Sequence, residues 1–393
     1  LGCTVITSAI PDSTDDFKVI RGNQVDILNV LGAGDAFMSG FLRGYLRGES
    51  LEKSANYANA SGALVVSRHG CAPAIPSENE LLYYLENAAD IVNPSTDLTL
   101  NHLHRVSFRS KEEPEIFGFA FDHRKQLSDL AEKYGADSHQ IKKLKNLLVK
   151  STQKAIDKLN IPEKSIGVLI DDTYGEDVLN SIAEKSWWIG RPVELPSSRP
   201  LKFEGDQSIG SKLQSWPLSH VVKCLIFYHP DDSDELKLKQ EQKVKELYFA
   251  CIQSGHQLLL EVIPPSEYEN EEAIIPMILK RFYDLKIKPD WWKLPALQDE
   301  SWVQVSDVIN THDPHCQGVL LLGLSAPIDS VRESFGVAAK YNICKGFTVG
   351  RTIFYEPAKL WMQHKINDHE LVDSVSINYI ELIQAWKKYR EEI

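Results

Sequence analysis

Little in this chain suits a nucleic-acid or membrane-spanning protein. No apolar run approaches the ~18 residues that a helical membrane span needs. Lysine and arginine number 43 against 55 aspartates and glutamates, a net charge of -12. That balance argues against a broad surface for a phosphate backbone, though it leaves room for a local basic pocket. The cysteines, at positions 3, 71, 224, 251, 316 and 344, form no CxxC pair, so neither a zinc site nor a disulfide framework is indicated. Reduced thiols, and with them a cytoplasmic protein, are the expectation. No Gly-rich dinucleotide fingerprint follows a first strand of the larger, C-terminal part. An initiator methionine is missing too, and the chain begins inside an apparent strand, Gly2 to Thr7, so it reads as a fragment. What remains is an ordinary globular composition, 43% hydrophobic and 25% charged over 393 residues. That is enough for two domains, or for one large barrel with an appendage.

One stretch organises the rest: Pro289-Asp290-Trp291-Trp292-Lys293-Leu294-Pro295. It is a short apolar run bounded by prolines, with a lysine inside. A strand buried on both faces normally excludes charge, because an unpaired ammonium in a low-dielectric interior is costly. One escape is a depressed pKa, which yields a neutral amine nucleophilic toward ketones. The other is a lysine at the strand end whose head snorkels to water.

Residues 1–95 form a first unit. Two β-like pieces, near 2–8 and 17–28, precede Leu31-Gly32-Ala33-Gly34-Asp35-Ala36-Phe37, and two helical patterns follow. Glycines at a helix start let backbone N–H groups approach an anion closely, and an aspartate just beyond can accept a hydroxyl proton. Taken alone, the same residues also describe a plain glycine turn with an acidic helix start. Together with the helix Ala55–Ala63 and Ser67-Arg68-His69-Gly70-Cys71-Ala72-Pro73, this stretch resembles the C-terminal end of ribokinase-like (PfkB) sugar kinases. The resemblance implies an anion hole at Gly32, Ala33 and Gly34, a base at Asp35, and ATP and Mg as cofactors of the intact kinase domain. Asn29 stands where that family often has an acidic residue. The family's sugar-binding sheet and lid precede the motif, so this chain by itself is not expected to phosphorylate a sugar.

Residues 96–113 read as a polar linker. From 114 to 393 short apolar runs alternate with helical stretches. The runs are Glu115–Phe121, Ile166–Ile170, Trp188–Leu195, Val221–Tyr228, Gln257–Ile263, Asp290–Leu294, Gly318–Leu324 and Gly346–Val349, with a terminal helix over His369–Glu392. Eight such runs with intervening helices fit a (β/α)8 TIM barrel of about 250 residues, with a doubly wound sheet as the runner-up. Catalytic groups in such a barrel sit at the C-terminal strand ends. Those ends carry Asp122 with Arg124, Asp171-Asp172, Glu194, Lys223, Glu261, Lys293, Ser325 and Gly350-Arg351. Singly, each is more often a satisfied core charge or a rim ion pair. Two lysines and several carboxylates on one face suit a Schiff-base site, with the second ammonium lowering the pKa of the first.

The pieces Ala120-Phe121-Asp122-His123-Arg124, Lys223, Leu260-Glu261-Val262, Trp292-Lys293-Leu294-Pro295, Leu324-Ser325-Ala326 and Val349-Gly350-Arg351-Thr352 resemble class I aldolases of the tagatose-bisphosphate type. The resemblance implies imine formation at Lys293, supporting roles for Asp122, Lys223 and Glu261, a phosphate site at Ser325, Ala326, Gly350 and Arg351, and no cofactor or metal for the barrel. Trp291-Trp292 and Leu294 depart from that family's smaller residues. A kinase unit ahead of such a barrel resembles the two-domain 5-dehydro-2-deoxygluconokinases of myo-inositol catabolism. This implies cleavage of 5-dehydro-2-deoxy-6-phosphogluconate to glycerone phosphate and malonate semialdehyde. The expected partner is a small phosphorylated sugar acid, with no nucleic acid and no membrane; a homo-oligomer is compatible. Two rivals stand beside this reading. One is a metal-dependent aldolase using His312-Asp313-Pro314-His315. The other is a non-catalytic barrel that supports a kinase whose phosphotransfer is the only activity.

Overall fold

The computed structural model describes all residues except 1, 8, 11, 14–16, 108–114, 206, 267, 269, 270 and 393. The chain divides into two compact units, Leu1–Lys111 and Glu112–Ile393.

In the first unit, β1 (Gly2–Thr4) and β2 (Val19–Arg21) pair antiparallel, and α1 (Ala33–Leu46) packs on α2 (Leu51–Val66). The two helices approach closely because Gly40 and Gly44 face α2. A Cβ at Gly40 would lie 2.5 Å from the carbonyl oxygen of Tyr57, and one at Gly44 equally close to Ser54 Oγ. A capping box, Ser77 with Glu80, starts α3 (Glu78–Asn87). The stretch read as a linker carries α4 (Leu98–Val106), which buries Leu100, His102 and Val106. Its remaining residues from 108 to 113 lie outside the described residues.

The second unit is a closed barrel of eight parallel strands, β3 (Ile116–Ala120), β4 (Ile166–Leu169), β5 (Trp188–Pro192), β6 (His220–Phe227), β7 (Leu258–Ile263), β8 (Trp291–Leu294), β9 (Gly318–Leu322) and β10 (Cys344–Val349). Each strand neighbours the next in sequence, and β10 closes onto β3. All eight strands coincide with the apolar runs. The largest difference is at β5, which ends three residues before Leu195, and β10 begins two residues before Gly346. There the register shifts in a bulge, and Gly346 (φ 126) approaches Ile116 so closely that a Cβ would meet its carbonyl oxygen.

Strand alternation sorts the side chains. Ile116, Ala120, Leu169, Val221, Leu259, Trp291 and Leu320 point inward and plug the barrel. Their neighbours, among them Phe119, Val168, Val222, Leu260, Trp292, Leu321 and Phe347, face the surrounding helices in the main apolar cluster. The two tryptophans of β8 therefore do different things. Trp291 packs edge-on to Trp188 inside and donates to Gln257 (2.9 Å); Trp292 packs on Phe282 outside and donates to the hydroxyl of Tyr283 (2.8 Å). Closure is tied by α14 (Asp368–Glu391): the Tyr379 hydroxyl donates to the Phe117 carbonyl (2.5 Å), and Trp386 and Arg390 both bond Glu115. No described helix is long and apolar enough to cross a membrane.

Candidate active site

The inward parity that plugs the barrel continues at its C-terminal end with charge. Ala120 leads to Asp122, Val221 to Lys223, Leu259 to Glu261 and Trp291 to Lys293, each two residues on and on the same face. Register sets Glu261 directly beside Lys293 on the adjacent strand. Glu261 Oε1 lies 3.1 Å from Lys293 Nζ, and its other oxygen lies 2.9 Å from Lys223 Nζ. One carboxylate thus bridges two lysines. The like-charge neighbour expected for Lys293 is present, with Glu261 interposed. The Lys293 side chain is only 7% exposed.

Lys223 is the hub. Besides Glu261 it meets Glu194 at 2.8 Å and Asp122 at 3.4 Å. Burial opposes its charge, but these carboxylates more than reverse the effect and hold its pKa well above that of ordinary lysine. The partners respond in kind. Burial would raise Asp122, yet Lys223, with help from Lys293 and Arg124, holds it far below the usual carboxylate range. Glu261 is likewise held down, against its burial, by Lys223 and Lys293. His123 goes the other way: burial, reinforced by Arg351, Lys293 and Lys145, pushes the imidazole down to about 3 despite Asp122. At pH 7 Asp122 and Glu261 are therefore ionised, Lys223 is charged and His123 is neutral.

A cavity of about 240 Å³ opens over these groups. Asp122, His123, Arg124, Glu194, Lys223, Glu261 and Lys293 line one part, and Ser325, Gly350 and Arg351 another. Gly350 lets the last loop pass close to β3, since a Cβ there would sit 2.3 Å from the Ala120 carbonyl oxygen. It is followed by α13 (Arg351–Met362), whose first turn presents backbone N–H groups. Among the described residues Arg351 has no carboxylate within ion-pair distance, so its charge is available to an anion. Leu324 and Ser325 both adopt left-handed backbone (φ 45 and 64), which is sparsely populated for residues other than glycine. Ala326 lies just behind, lining a neighbouring cavity, and its carbonyl accepts from the Thr352 hydroxyl (2.8 Å).

Two acidic strand ends play other parts. Asp171 turns away from the cavity to pair with Lys145 of α6 (Ser138–Leu159) and to cap α7 (Asp172–Ser181). Asp172 pairs with Arg191 at 2.7 Å. Glu204, which carried no signal in the sequence, reaches Arg124 at 2.5 Å, while Glu194 lies 3.5 Å from it. Both glutamates belong to one turn, closed by a bridge between Glu194 and Phe203. His312 ends α11 (Asp299–His312) and stacks on Tyr283, ahead of β9 and thus at the opposite end of the barrel. Among the described residues no group of three or more His, Cys, Asp or Glu side chains is arranged to hold a metal.

In the first unit, Gly32 (φ 83) precedes α1 and packs on Cys71, where a Cβ would lie 2.7 Å from the sulfur. Gly34 opens on empty space, and Asp35 is exposed in the first turn. Asn29 donates to the carbonyls of Arg68 (2.7 Å) and Gly70 (3.0 Å) and accepts from the N–H of Leu31 (2.6 Å). It is a staple between the glycine turn and the following segment.

Comparison with known proteins matches each unit separately. Residues 2–78 match the pfkB family carbohydrate kinase model, and residues 80–390 match the family described as "Uncharacterized protein conserved in bacteria (DUF2090)". The 5-dehydro-2-deoxygluconokinase of Bacillus thuringiensis (strain Al Hakam) is 32% identical over 81 residues, 20% of this chain and 24% of that protein. The 5-dehydro-2-deoxygluconokinase of Bacillus anthracis matches at the same identity and over the same shares. The chain thus spans about a quarter of the length of the curated relatives it matches. A solved fructose-bisphosphate aldolase from Plasmodium falciparum covers 74% of this chain and 95% of its own, with a TM-score of 0.53 and 10% identity. At that identity the likeness concerns the fold: an aldolase-like barrel.

Proposed function

The chain belongs to the DUF2090 family, and from that premise we propose that its barrel is a Schiff-base (class I) aldolase. Its substrate in this reading is 5-dehydro-2-deoxy-6-phosphogluconate, cleaved to glycerone phosphate and malonate semialdehyde in myo-inositol catabolism. The observation that carries the reading is the sheltered Lys293, bridged through Glu261 to a charged Lys223, in a cavity that also holds Arg351, which has no ion-pair partner among the described residues. The kinase likeness of residues 2–78 supplies the substrate class.

Lys293, as the free amine, attacks the C5 ketone, and loss of water leaves a protonated imine that serves as electron sink. Glu261, directly or through water, takes the C3 hydroxyl proton, and the C3–C4 bond breaks. Malonate semialdehyde carries away C1 to C3. The remaining enamine takes a proton at C4 and is hydrolysed, which frees glycerone phosphate and returns the amine. Lys223 keeps Glu261 ionised, and Asp122 and Lys223 order the substrate hydroxyls. Arg351, Ser325 and the Gly350 turn, with Ala326 behind it, receive the phosphate.

The first unit is read as part of a carbohydrate kinase. The open N–H face at Ala33 and Gly34, beside an exposed Asp35, fits the phosphate end of ATP, and Mg bound with it would supply charge neutralisation. Gly32, Ala33 and Gly34 would hold that phosphate and Asp35 would take the sugar hydroxyl proton. A coupled assay for glycerone phosphate release from the phosphorylated sugar acid tests the barrel's activity. No release by the wild-type chain, at any pH from about 6 to 9, counts against it.

A further inference from the structure

Beneath the end of β3, outside the cavity, lies a buried ion pair that the proposed chemistry does not use. Lys145 and Asp171 are both 0% exposed and in direct contact. Lys145 belongs to α6, and its ammonium also reaches the carbonyl oxygens of Phe121 (2.7 Å) and His123 (3.4 Å). An ammonium has three donors, and here all three are taken. Asp171 is equally satisfied, because its second oxygen accepts from the N–H of Tyr174 (2.8 Å).

Such a pair is a poor way to gain stability. Removing two charges from water costs about what their attraction returns, and well-packed apolar residues of similar volume often serve as well. Its geometry, however, is directed. The two carbonyls that Lys145 grips flank a single residue, Asp122, which lies 3.4 Å from the hub lysine. One side chain thus holds the backbone on both sides of that carboxylate, just past the end of the strand.

We infer that Lys145, fixed by Asp171, is a positioning residue that sets the backbone at Asp122 and so places its carboxylate against Lys223. This deepens the aldolase reading and rests on it. A misplaced Asp122 would leave Lys223 to draw more heavily on Glu261, the group assigned to move the substrate proton. The effect belongs to the chemical step, so it appears in kcat more than in KM.

The test uses two variants of the full chain. K145M/D171N removes both charges at near-constant volume and keeps an asparagine cap on α7. D171N alone leaves Lys145 in place without its anchor. Thermal melts, KM, kcat and borohydride trapping are measured for both beside wild type. The expected result is near wild-type melting for at least one variant, trapping retained, KM within about threefold, and kcat lowered at least about tenfold. Folded variants with wild-type kcat would overturn the inference. So would loss of fold in both, since the pair would then hold the barrel and not the carboxylate. An inactive, untrappable wild type instead overturns the aldolase reading itself.

Discussion

Glu261 Oε1 stands 3.1 Å from Lys293 Nζ on the adjacent strand, while its other oxygen stands 2.9 Å from Lys223 Nζ. The sharing means that neither lysine can be altered without changing the charge the other sees. Lys223 has two further carboxylates and Lys293, among the described residues, has none, so the two differ in what they can give up. In the proposed mechanism the hub keeps its proton, and the amine on β8 does the covalent chemistry.

Glu261→Gln keeps the shape of the bridge and removes the base. The expected outcome is a fall in kcat of about 10²–10⁴-fold, the usual worth of a positioned acid–base group. Imine formation at Lys293 should survive. Single-turnover kinetics beside trapping measure both; an unchanged kcat would remove Glu261 from the mechanism.

Lys223→Met leaves Asp122, Glu194 and Glu261 buried without their common cation. Breaking a buried charge set in this way costs roughly 3–5 kcal/mol. The pH dependence should also reverse. In wild type the lowered folded pKa values of Asp122 and Glu261 contribute stability above their unfolded values, about 4, which is lost as pH falls. The raised Lys223 contributes below its unfolded value, about 10.4, and is lost as pH rises through its folded value. In the variant, uncompensated burial raises the carboxylates, Asp122 above all, so stability should increase as pH is lowered from about 8 to 5. Urea unfolding at those two pH values measures the sign.

Arg351→Met removes the cation that opens α13. A charge-assisted hydrogen bond is worth about 1.5–3 kcal/mol, so KM for a phosphorylated substrate should rise roughly 10- to 100-fold. The melting temperature should hardly move, because among the described residues the guanidinium has no ion-pair partner to strand. An unchanged KM would place the phosphate elsewhere.

ATP-dependent sugar phosphorylation by this chain alone should be undetectable, since it spans 24% of the kinases it matches. Phosphate transfer to 5-dehydro-2-deoxygluconate, followed by mass spectrometry, gives the answer. Turnover abolished by Asp35→Asn would contradict the expectation.

Most of the barrel was legible because strand alternation and apolar runs are local properties. The three charges Lys223, Glu261 and Lys293 stood out for the same reason, each interrupting an apolar strand. The partners that act through tertiary contact were not visible. Glu204 lies in a polar turn and meets Arg124 only because the strands close into a ring. Asp171 looked like a site residue by its position at a strand end, yet its side chain serves the helix layer. Lys145 could have been found: it falls on the helical stripe of Ile141, Leu144 and Leu148, where a lysine is out of place. The lysine-rich surroundings of α6 hid it.

Borohydride reduction in the presence of the phosphorylated keto sugar acid, followed by peptide mass spectrometry, tests the covalent step directly. The expected result is one stable adduct of the glycerone phosphate or substrate mass, on Lys293, absent from Lys293→Ala. An unmodified wild-type chain, or an adduct that persists when Lys293 is replaced, would contradict it.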